Sequence, residues 1–310
     1  MLVSIVIPVF NEAENLAKLQ ERIINAMNQI LYSYELIYIN DGSSDSSLEI
    51  LKNIITPEGL IIDFSRNFGK ESAISAGLMH AKGDVVIPID SDLQHPPELI
   101  KELIKTHLNG WDVVFASRVD RKNDGFFRGI FTKIFYKINE SITEHPLPTN
   151  SGDFRLMSRR VVNAINSLPE KNKYMKGIYS WVGFKTTSIS YEVAPRLNGV
   201  TSFNFFNLYK LAINGLFNFT TFPLKVWTYI GFSVASFSFL YSIVILIKTL
   251  IFGVDTPGYA STMISVLFMG GIQLIGIGVL GEYISLIFIE SKQRPTYIIK
   301  DLIKFDNNGK

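Results

Sequence analysis

Short apolar runs alternate with amphipathic stretches through the first 120 residues of the chain. The apolar runs are rich in β-branched residues, as buried strands are, and they occupy residues 2–10, 34–40, 60–65, 85–89 and 112–117. Between them, apolar residues recur at helical spacing, as they do at Leu16, Leu19, Ile23 and Met27. This alternation predicts an α/β fold in which a mostly parallel sheet carries helices on both faces.

The pattern changes after residue 200. Residues 226–247 and 259–281 contain no charged residue, and each run has about the 20 residues that are needed to cross a membrane. Two buried core helices are the alternative, but runs this long that both end at charges favour transmembrane helices. The aromatic segment 203–222 has Lys210 as its only charge, and it predicts an interfacial helix that lies on the membrane.

These patterns divide the chain into four regions. We expect an α/β domain at residues 1–200 and an amphipathic interfacial region at 201–224. Two transmembrane helices (about 226–248 and 259–282) should fill residues 225–290, and a cytoplasmic tail should follow at 291–310.

Charges that flank the hairpin predict its orientation. Lys225 precedes the first span, and Lys292 and Arg294 follow the second, so the α/β domain and both termini should face the cytosol. The apolar N-terminus has no positive region before it, which argues against a signal peptide. Gly270 and Gly276 belong to a set of glycines that allow close helix packing, within the hairpin or with a neighbouring subunit, so we expect a homo-oligomer.

Polar side chains gather directly after the predicted strands, where α/β sheets bind their ligands. Carboxylates, amides and cations all take part, which is typical of a site for a phosphate-bearing ligand. The residues are Asn11, Glu12, Asp41, Arg66, Lys70, Asp90, Asp92 and Arg118.

The stretch Asp90-Ser91-Asp92 suggests a metal site at the end of the fourth predicted strand. Two neighbouring carboxylates repel each other unless a cation lies between them. Mg²⁺ commonly takes one or two protein carboxylates and completes its shell with water and substrate phosphates, and Gln94 adds a neutral oxygen. A polar loop that caps a helix is the alternative, and the strand before the loop favours the metal.

Composition excludes several other classes of function. The net charge is only +2, so nucleic acid is not an expected partner. Cys is absent, which excludes disulfides and thiolate zinc sites, and the four His residues show no metal-ligand spacing and are interpreted as incidental. The glycine motifs of dinucleotide dehydrogenases and P-loop ATPases are also missing.

Asp153 and Arg155 flank Phe154 in the segment TNSGDFRLMSRR. A turn and helix start with ordinary surface charges is the alternative interpretation. Several arginines near a metal site suit anionic oxygens, because guanidinium binds phosphate bidentately and stays charged. With a membrane hairpin in the same chain, a lipid phosphate is the natural acceptor.

Six motifs together resemble the family-2 glycosyltransferases that load polyprenyl phosphate, in particular the bacterial bactoprenol glucosyltransferases of O-antigen modification clusters. The motifs are SIVIPVFNE, INDGSSD, SRNFGKE, PIDSDLQHPP, SGDFRLMSRR and GIGVLGEYISLIFIESKQRP. The resemblance implies the GT-A fold, UDP-glucose as donor, Mg²⁺ or Mn²⁺ as cofactor, and undecaprenyl phosphate as acceptor. It also implies inversion at the anomeric carbon, giving β-glucosyl-phosphoryl-undecaprenol, and a location in the bacterial inner membrane.

The resemblance also assigns roles to individual residues. For the nucleotide sugar it implies Pro8, Phe10, Asn11, Glu12, Asp41, Arg66, Lys70, Asp90 and Ser91. For the metal it implies Asp90, Asp92 and Gln94; for the acceptor phosphate Arg118, Arg128 and Arg155; and for the catalytic base Asp153. Two positions depart from the family pattern: Asn40 replaces the first Asp of an Asp-Asp-Gly-Ser turn, and Phe10 stands where many relatives have Tyr.

Other functions remain open at this point. Relatives that load mannose, N-acetylglucosamine or aminoarabinose share the same architecture. A processive polysaccharide synthase would need a Gln-x-x-Arg-Trp element, and none of the three Trp residues follows an Arg. A non-catalytic membrane scaffold and a lipid-phosphate phosphatase are the alternatives from other classes.

Overall fold

A computed structural model of the protein describes residues 1–118, 151–170, 173–191, 222–252 and 258–305. Most of the predicted interfacial region, 201–221, lies outside the described residues, as does Arg128. Within the described part, the order of elements confirms the predicted alternation of strands and helices in the first 118 residues.

The strands that the structure describes form one sheet. They are β1 (Leu2–Val9), β2 (Ser33–Asn40), β3 (Gly59–Phe64), β4 (Val85–Pro88), β5 (Val113–Arg118), β6 (Ser151–Ser158), β7 (Thr186–Tyr191) and β8 (Ile299–Lys304). The first five confirm the five predicted strands, and each end agrees to within one residue.

The described helices separate into those of the sheet domain and two long C-terminal ones. The sheet domain contains α1 (Ala13–Asn28), α2 (Ser47–Ile54), α3 (Lys70–His80), α4 (Ile100–Leu108), α5 (Arg159–Ser167) and α6 (Met175–Trp181). The long helices are α7 (Phe222–Phe252) and α8 (Tyr259–Ser291).

The sheet has the strand order β7-β5-β6-β4-β1-β2-β3-β8. Strands β4, β1, β2 and β3 are parallel neighbours, and the order reverses direction between β1 and β4. In open α/β sheets, such a reversal leaves a crevice at the carboxyl ends of the strands, where ligands bind. The residues that follow β1 and β4 therefore lie at the position where a binding site is expected.

Strand β6 was not predicted, and it lies in the interior of the sheet. It runs antiparallel to both β4 and β5, so its first residues lie at the carboxyl edge of β4. Phe154, Leu156 and Met157 are fully buried. This placement brings the start of β6, with Asp153, next to the loop that follows β4.

Close packing of α3 against the sheet depends on a glycine. A Cβ atom on Gly77 would overlap the side chain of Val6 in β1 and would approach Ile39 in β2. Helix α3 can therefore lie directly on these strands. Because Lys70 is the first residue of α3, this contact also fixes the height of Lys70 above the sheet.

The C-terminal segment contributes the last strand of the sheet. Residues 299–304, within the predicted tail, form β8, which pairs antiparallel with β3. The charged pattern Ile-Lys-Asp-Leu-Ile-Lys suits an edge strand, because charges there discourage pairing with another chain. The segment after the hairpin is thus part of the sheet domain.

The chain divides into two compact units, residues 1–208 with 293–310, and residues 209–292. The second unit contains α7 and α8, so helices are confirmed at both predicted spans. Among the described residues, Phe268–Ser291 is long and apolar enough to cross a membrane. A Cβ atom on Gly276 would overlap the indole of Trp227, so a predicted glycine does permit close packing inside the hairpin.

Candidate active site at the carboxyl edge of the sheet

The loop after β4 carries the predicted metal ligands and is held by hydrogen bonds. The Ser91 hydroxyl donates to the carbonyl of Pro8 at 3.1 Å, which joins this loop to the end of β1. The backbone N–H of Gln94 donates to Oδ1 of Asp92 at 3.1 Å, and Leu93 adopts a positive φ of 60°. The backbone turn therefore places Asp90 and Asp92 on one short, fixed loop.

Lys70 joins this loop to β6. Its Nζ lies 2.6 Å from Oδ1 of Asp90 and 2.7 Å from Oδ2 of Asp153. The Lys70 side chain is 44% exposed, whereas the side chains of Asp90 and Asp153 are 23% and 13% exposed. The structure thus places three predicted site residues, from three different elements, in one cluster.

The charges in this cluster support one another. Burial opposes ionisation of each group, but the Lys70 ammonium outweighs it and holds the pKa of both Asp90 and Asp153 below the usual range. In the same way, Asp153 and Asp90 overcome burial and raise the pKa of Lys70. Both carboxylates are therefore ionised at neutral pH, and Lys70 is charged.

Asp153 has one further feature that bears on its role. Its second oxygen, Oδ1, is buried, and within the described residues it has no hydrogen-bond partner. A buried acceptor without a partner is costly, so this oxygen is suited to accept a hydrogen bond from a bound molecule.

His95 belongs to the site, and its interpretation as incidental was wrong. It is buried, with Nε2 lying 3.6 Å from Oδ2 of Asp90, and its Nδ1 forms a 2.7 Å hydrogen bond with the hydroxyl of Tyr191. Its ring also packs against Phe154, with 5.3 Å between ring centroids. The signal in the sequence was its place inside the PIDSDLQHPP motif, only three residues after Asp92.

The predicted nucleoside loop follows β1. Asn11 adopts the left-handed conformation (φ 54°), and its side-chain oxygen accepts a 2.8 Å hydrogen bond from the backbone N–H of Ser44. The N–H of Glu12 donates to the Ser47 hydroxyl at 3.0 Å. Phe10 is 46% exposed, which leaves its ring available to a ligand. These bonds connect the loops after β1 and β2.

Asp41 is buried, and both of its oxygens are used within the protein. Oδ1 accepts the N–H of Phe68 at 2.7 Å, and Oδ2 accepts the N–H of Gly69 at 2.9 Å. Asp41 thus fixes the loop that leads into Lys70. In the same loop, the Arg66 guanidinium lies 4.0 Å from the centroid of the Phe68 ring. Direct binding of the nucleotide sugar by Asp41 stays a prediction.

The arginines predicted for the acceptor phosphate have different placements. Arg118 is the last residue of β5, at the same edge of the sheet as Asp90. Arg155 is only 4% exposed; its Nη2 donates to the carbonyl of Gly152 at 2.6 Å, and its guanidinium lies 3.7 Å from the Tyr179 ring centroid. This burial favours a structural role for Arg155, and phosphate binding by it stays a prediction.

Two further residues near Asp153 were missed. Oε2 of Glu71 accepts the N–H of Met175 at 3.1 Å, which ties α3 to α6. Burial, and then the charge of Asp153, raise the pKa of Glu71 to about 7. Tyr179, also on α6, is buried against Arg155. No motif in the sequence assigns a role to either residue, because their proximity to Asp153 arises only from tertiary packing.

The donor set fits a divalent metal that is held partly by its substrate. Among the described residues, no group of three His, Cys, Asp or Glu side chains is placed to hold a metal ion. Asp90 and Asp92 nevertheless offer hard carboxylate oxygens on one loop, which suits Mg²⁺ or Mn²⁺ when diphosphate oxygens complete the shell.

Comparison with known proteins gives family matches over both the sheet domain and the hairpin. Residues 4–165 match the family Glycosyl transferase family 2, and residues 222–287 match the family GtrB C-terminal hairpin. A bactoprenol glucosyl transferase of Shigella phage SfV is 49% identical over 97% of this chain and 99% of the relative. A prophage bactoprenol glucosyl transferase homolog of Escherichia coli is 47% identical over 98% of this chain and 100% of the relative.

A solved structure was also found to be similar. Glucosyl-3-phosphoglycerate synthase from Mycobacterium tuberculosis, in complex with Mn²⁺, UDP-glucose and phosphoglyceric acid, has a TM-score of 0.49 and 18% identity. The match covers 68% of this chain and 75% of that chain. From the family match, the full-length relatives and the mixed sheet, we conclude that the chain belongs to glycosyltransferase family 2, has the GT-A fold with a GtrB-type C-terminal hairpin, and is a hexosyltransferase.

Proposed function

We propose that this enzyme transfers glucose from UDP-glucose to undecaprenyl phosphate and yields β-glucosyl-phosphoryl-undecaprenol. The observation that carries the proposal is the cluster of Lys70, Asp90 and Asp153 at the switch point of the sheet. Relatives named bactoprenol glucosyl transferase match the chain over nearly its full length, including the hairpin, and support this choice of substrates.

The donor site would be built from the loops after β1, β2, β3 and β4. The hydrogen-bonded loop of Asn11 and Glu12 would hold the nucleoside, and the loop fixed by Asp41 would present Arg66 and Lys70 to the diphosphate. Asp90 and Asp92 would hold Mg²⁺ or Mn²⁺, and this metal would neutralise charge on the departing diphosphate.

The acceptor needs little help from a base. A phosphate monoester has a second pKa of about 6 and is largely dianionic at neutral pH. One of its oxygens attacks the anomeric carbon as the bond to UDP breaks, so the configuration inverts and no proton has to be removed. Asp153, which is ionised and paired with Lys70, would therefore orient the reacting groups rather than take a proton.

Charge around the hairpin supports a cytoplasmic site. Lys225 precedes the uncharged run 226–247, and Lys292 and Arg294 follow the uncharged run 259–281. The positive-inside rule places both ends of such a hairpin in the cytosol. The proposed donor, a nucleotide sugar, is found in the cytosol. The lipid acceptor would reach the site from the cytoplasmic leaflet of the membrane. We propose a multi-pass protein of the bacterial inner membrane that works on its cytoplasmic face, with a homo-oligomer as the assembly.

A transfer assay tests the proposal. Purified full-length protein would be mixed with undecaprenyl phosphate, Mg²⁺ or Mn²⁺, and radiolabelled UDP-glucose, UDP-N-acetylglucosamine, GDP-mannose or UDP-aminoarabinose. We expect chelator-sensitive transfer from UDP-glucose alone, and a β-linked product by NMR. Transfer of a different sugar would replace the donor, an α-linked product would contradict inversion, and no transfer with intact UDP binding would favour the scaffold alternative.

A further inference from the structure

The segment that follows the hairpin, residues 293–304, contacts the end of β3 at three consecutive positions. The ring of Tyr297 stacks on Phe64, with 5.0 Å between centroids and 10° between planes. The carbonyl of Ile298 accepts the N–H of Ser65 at 3.0 Å. Nζ of Lys300 lies 3.7 Å from Oδ2 of Asp63. The post-hairpin segment therefore secures the last residues of β3 through an aromatic stack, a backbone hydrogen bond and an ion pair.

These residues lead directly into the loop that presents Arg66 and Lys70. Phe64 contacts Phe68 edge to face, with 5.8 Å between centroids and 89° between planes. The Arg66 guanidinium in turn lies 4.0 Å from the centre of the Phe68 ring. A continuous row of contacts therefore runs from Tyr297 through two phenylalanines to a cation predicted to bind the donor.

A second set of contacts, which is polar, also connects the post-hairpin segment to the loop of residues 66–69. The Asn40 amide donates to Oδ1 of Asp63 at 2.7 Å, while Oδ2 of Asp63 faces Lys300. The next residue, Asp41, accepts the N–H groups of Phe68 and Gly69. This explains the departure at position 40: an aspartate there would face the buried Asp63 and repel it, whereas the amide donates a hydrogen bond.

We infer that Tyr297 is a positioning residue of the donor site. It holds Phe64 and Phe68, and through them the loop of residues 66–69 and Lys70, in the geometry that receives the diphosphate of a nucleotide sugar. The inference rests on the proposed function, because it requires that the loop of residues 66–69 binds a nucleotide sugar. On this inference, the post-hairpin segment contributes to the shape of the donor site.

Substitutions at Tyr297 test this inference in the full-length protein. Tyr297→Ala should weaken UDP binding and raise the KM for UDP-glucose by about threefold to tenfold, the range expected for loss of one aromatic stack. The kcat should change less, because the reacting groups are untouched. Tyr297→Phe keeps the aromatic ring and should have the wild-type KM and UDP affinity. Ile298→Ala is the matched control, because that side chain is 53% exposed and its backbone carbonyl is retained.

Amide exchange separates positioning from a general loss of stability. In Tyr297→Ala, the N–H groups of Phe68 and Gly69 should exchange faster, while those of β1 remain protected. If Tyr297→Ala fails to fold, Tyr297→Leu keeps the bulk without the stack and takes its place. Unchanged UDP affinity and unchanged exchange in these variants would overturn the inference.

The same measurements keep the inference distinct from the proposed function. If the wild-type protein binds no UDP, the proposed function fails, whereas amide exchange at Phe68 and Gly69 still decides whether Tyr297 orders the loop. If the wild-type protein transfers glucose and Tyr297→Ala has the wild-type KM and exchange, the proposed function stands and the inference fails.

Discussion

Lys70 and Asp153 come from different elements of the fold and form an ion pair with an N–O distance of 2.7 Å. The same ammonium also pairs with Asp90, so one cation links the loop after β4 to the start of β6. A cation in this place keeps two carboxylates ionised close together, and under the proposed function it would face the donor diphosphate. The site is therefore an electrostatic unit, and changing one member affects the others.

Lys70→Gln should remove most of the transfer activity. The substitution leaves Asp90 and Asp153 without their shared counter-ion and takes a cation away from the leaving diphosphate. We expect kcat to fall by about 10²–10³, as it does when one group that stabilises developing charge is lost. Steady-state assays with Lys101→Gln, on the exposed face of α4, provide the control. Normal turnover by Lys70→Gln would contradict the assigned role.

Asp153→Asn tests whether Asp153 is a base or an orienting group. Loss of a general base typically costs about 10²–10⁴ in rate. Because the acceptor phosphate is already dianionic, we expect a smaller loss, of roughly tenfold, in single-turnover transfer assays. A loss in the full range of general-base catalysis would instead assign proton removal to Asp153.

Asp92→Ala should abolish metal-dependent transfer without preventing membrane insertion. Asp92 supplies a carboxylate oxygen to the predicted metal site, and an alanine cannot replace it. Binding of Mn²⁺ in the presence of UDP, followed by electron paramagnetic resonance, should weaken in the same variant. Glu49→Gln, on the exposed side of α2, is the control. Wild-type Mn²⁺ affinity in Asp92→Ala would contradict the metal assignment.

Asp41→Ala should loosen the loop that leads into Lys70. Two partly buried backbone N–H groups lose their acceptor, and the cost of a fully buried unpaired donor, about 1–3 kcal/mol, sets the upper limit for each. We expect a lower free energy of unfolding and weaker UDP binding, measured by chemical denaturation and calorimetry. Asp41→Asn retains one acceptor and should lie between the wild type and alanine; equal behaviour of all three would show that the loop does not depend on Asp41.

Glu71 should make stability depend on pH. Its pKa is raised from 4.5 to about 7 in the folded protein, so the unfolded chain releases this proton first as the pH rises. Stability should therefore fall between about pH 4.5 and 7, by roughly 3 kcal/mol at most, and stay level above that range. In Glu71→Gln this loss should be absent, so its melting temperature should exceed that of the wild type at pH 8 and match it at pH 4.5.

A control variant isolates the effect of Glu71. Glu102→Gln changes an exposed glutamate on α4 and removes the same charge from the protein. Its melting temperature should follow the wild-type curve between pH 4.5 and 8. A Glu71→Gln curve that runs parallel to the wild type would mean that Glu71 is ionised at neutral pH in the folded protein.

The sequence predicted the first five strands, most of whose side chains are buried, and it missed β6 and β8, which have mixed surroundings. Residues of β1 such as Val3 and Ile5 are fully buried, and their continuous apolar run is easily recognised. In β6, Asp153 and Arg155 interrupt the apolar pattern, because one end of the strand serves the site. Strand β8 (Ile-Lys-Asp-Leu-Ile-Lys) mixes charged and apolar residues without a regular alternation, and its partner β3 is distant in sequence.

The candidate site shows the same division. Asp90, Asp92 and Asp153 were predicted as site residues because each lies in a recognisable motif. The Lys70 bridge and the hydrogen bond from Met175 to Glu71 depend on groups that meet only after the sheet has formed. Short-range patterns contain no information about such meetings, so structure was needed to find them.

Strand β8 also sets the order in which this protein can be made. The edge of β3 has no partner until the ribosome has finished α7 and α8 and released the residues behind them. An unpaired strand edge invites association with other chains. Synthesis of the hairpin therefore precedes closure of the sheet, and a gene shortened before the hairpin would encode a domain with an open, aggregation-prone edge.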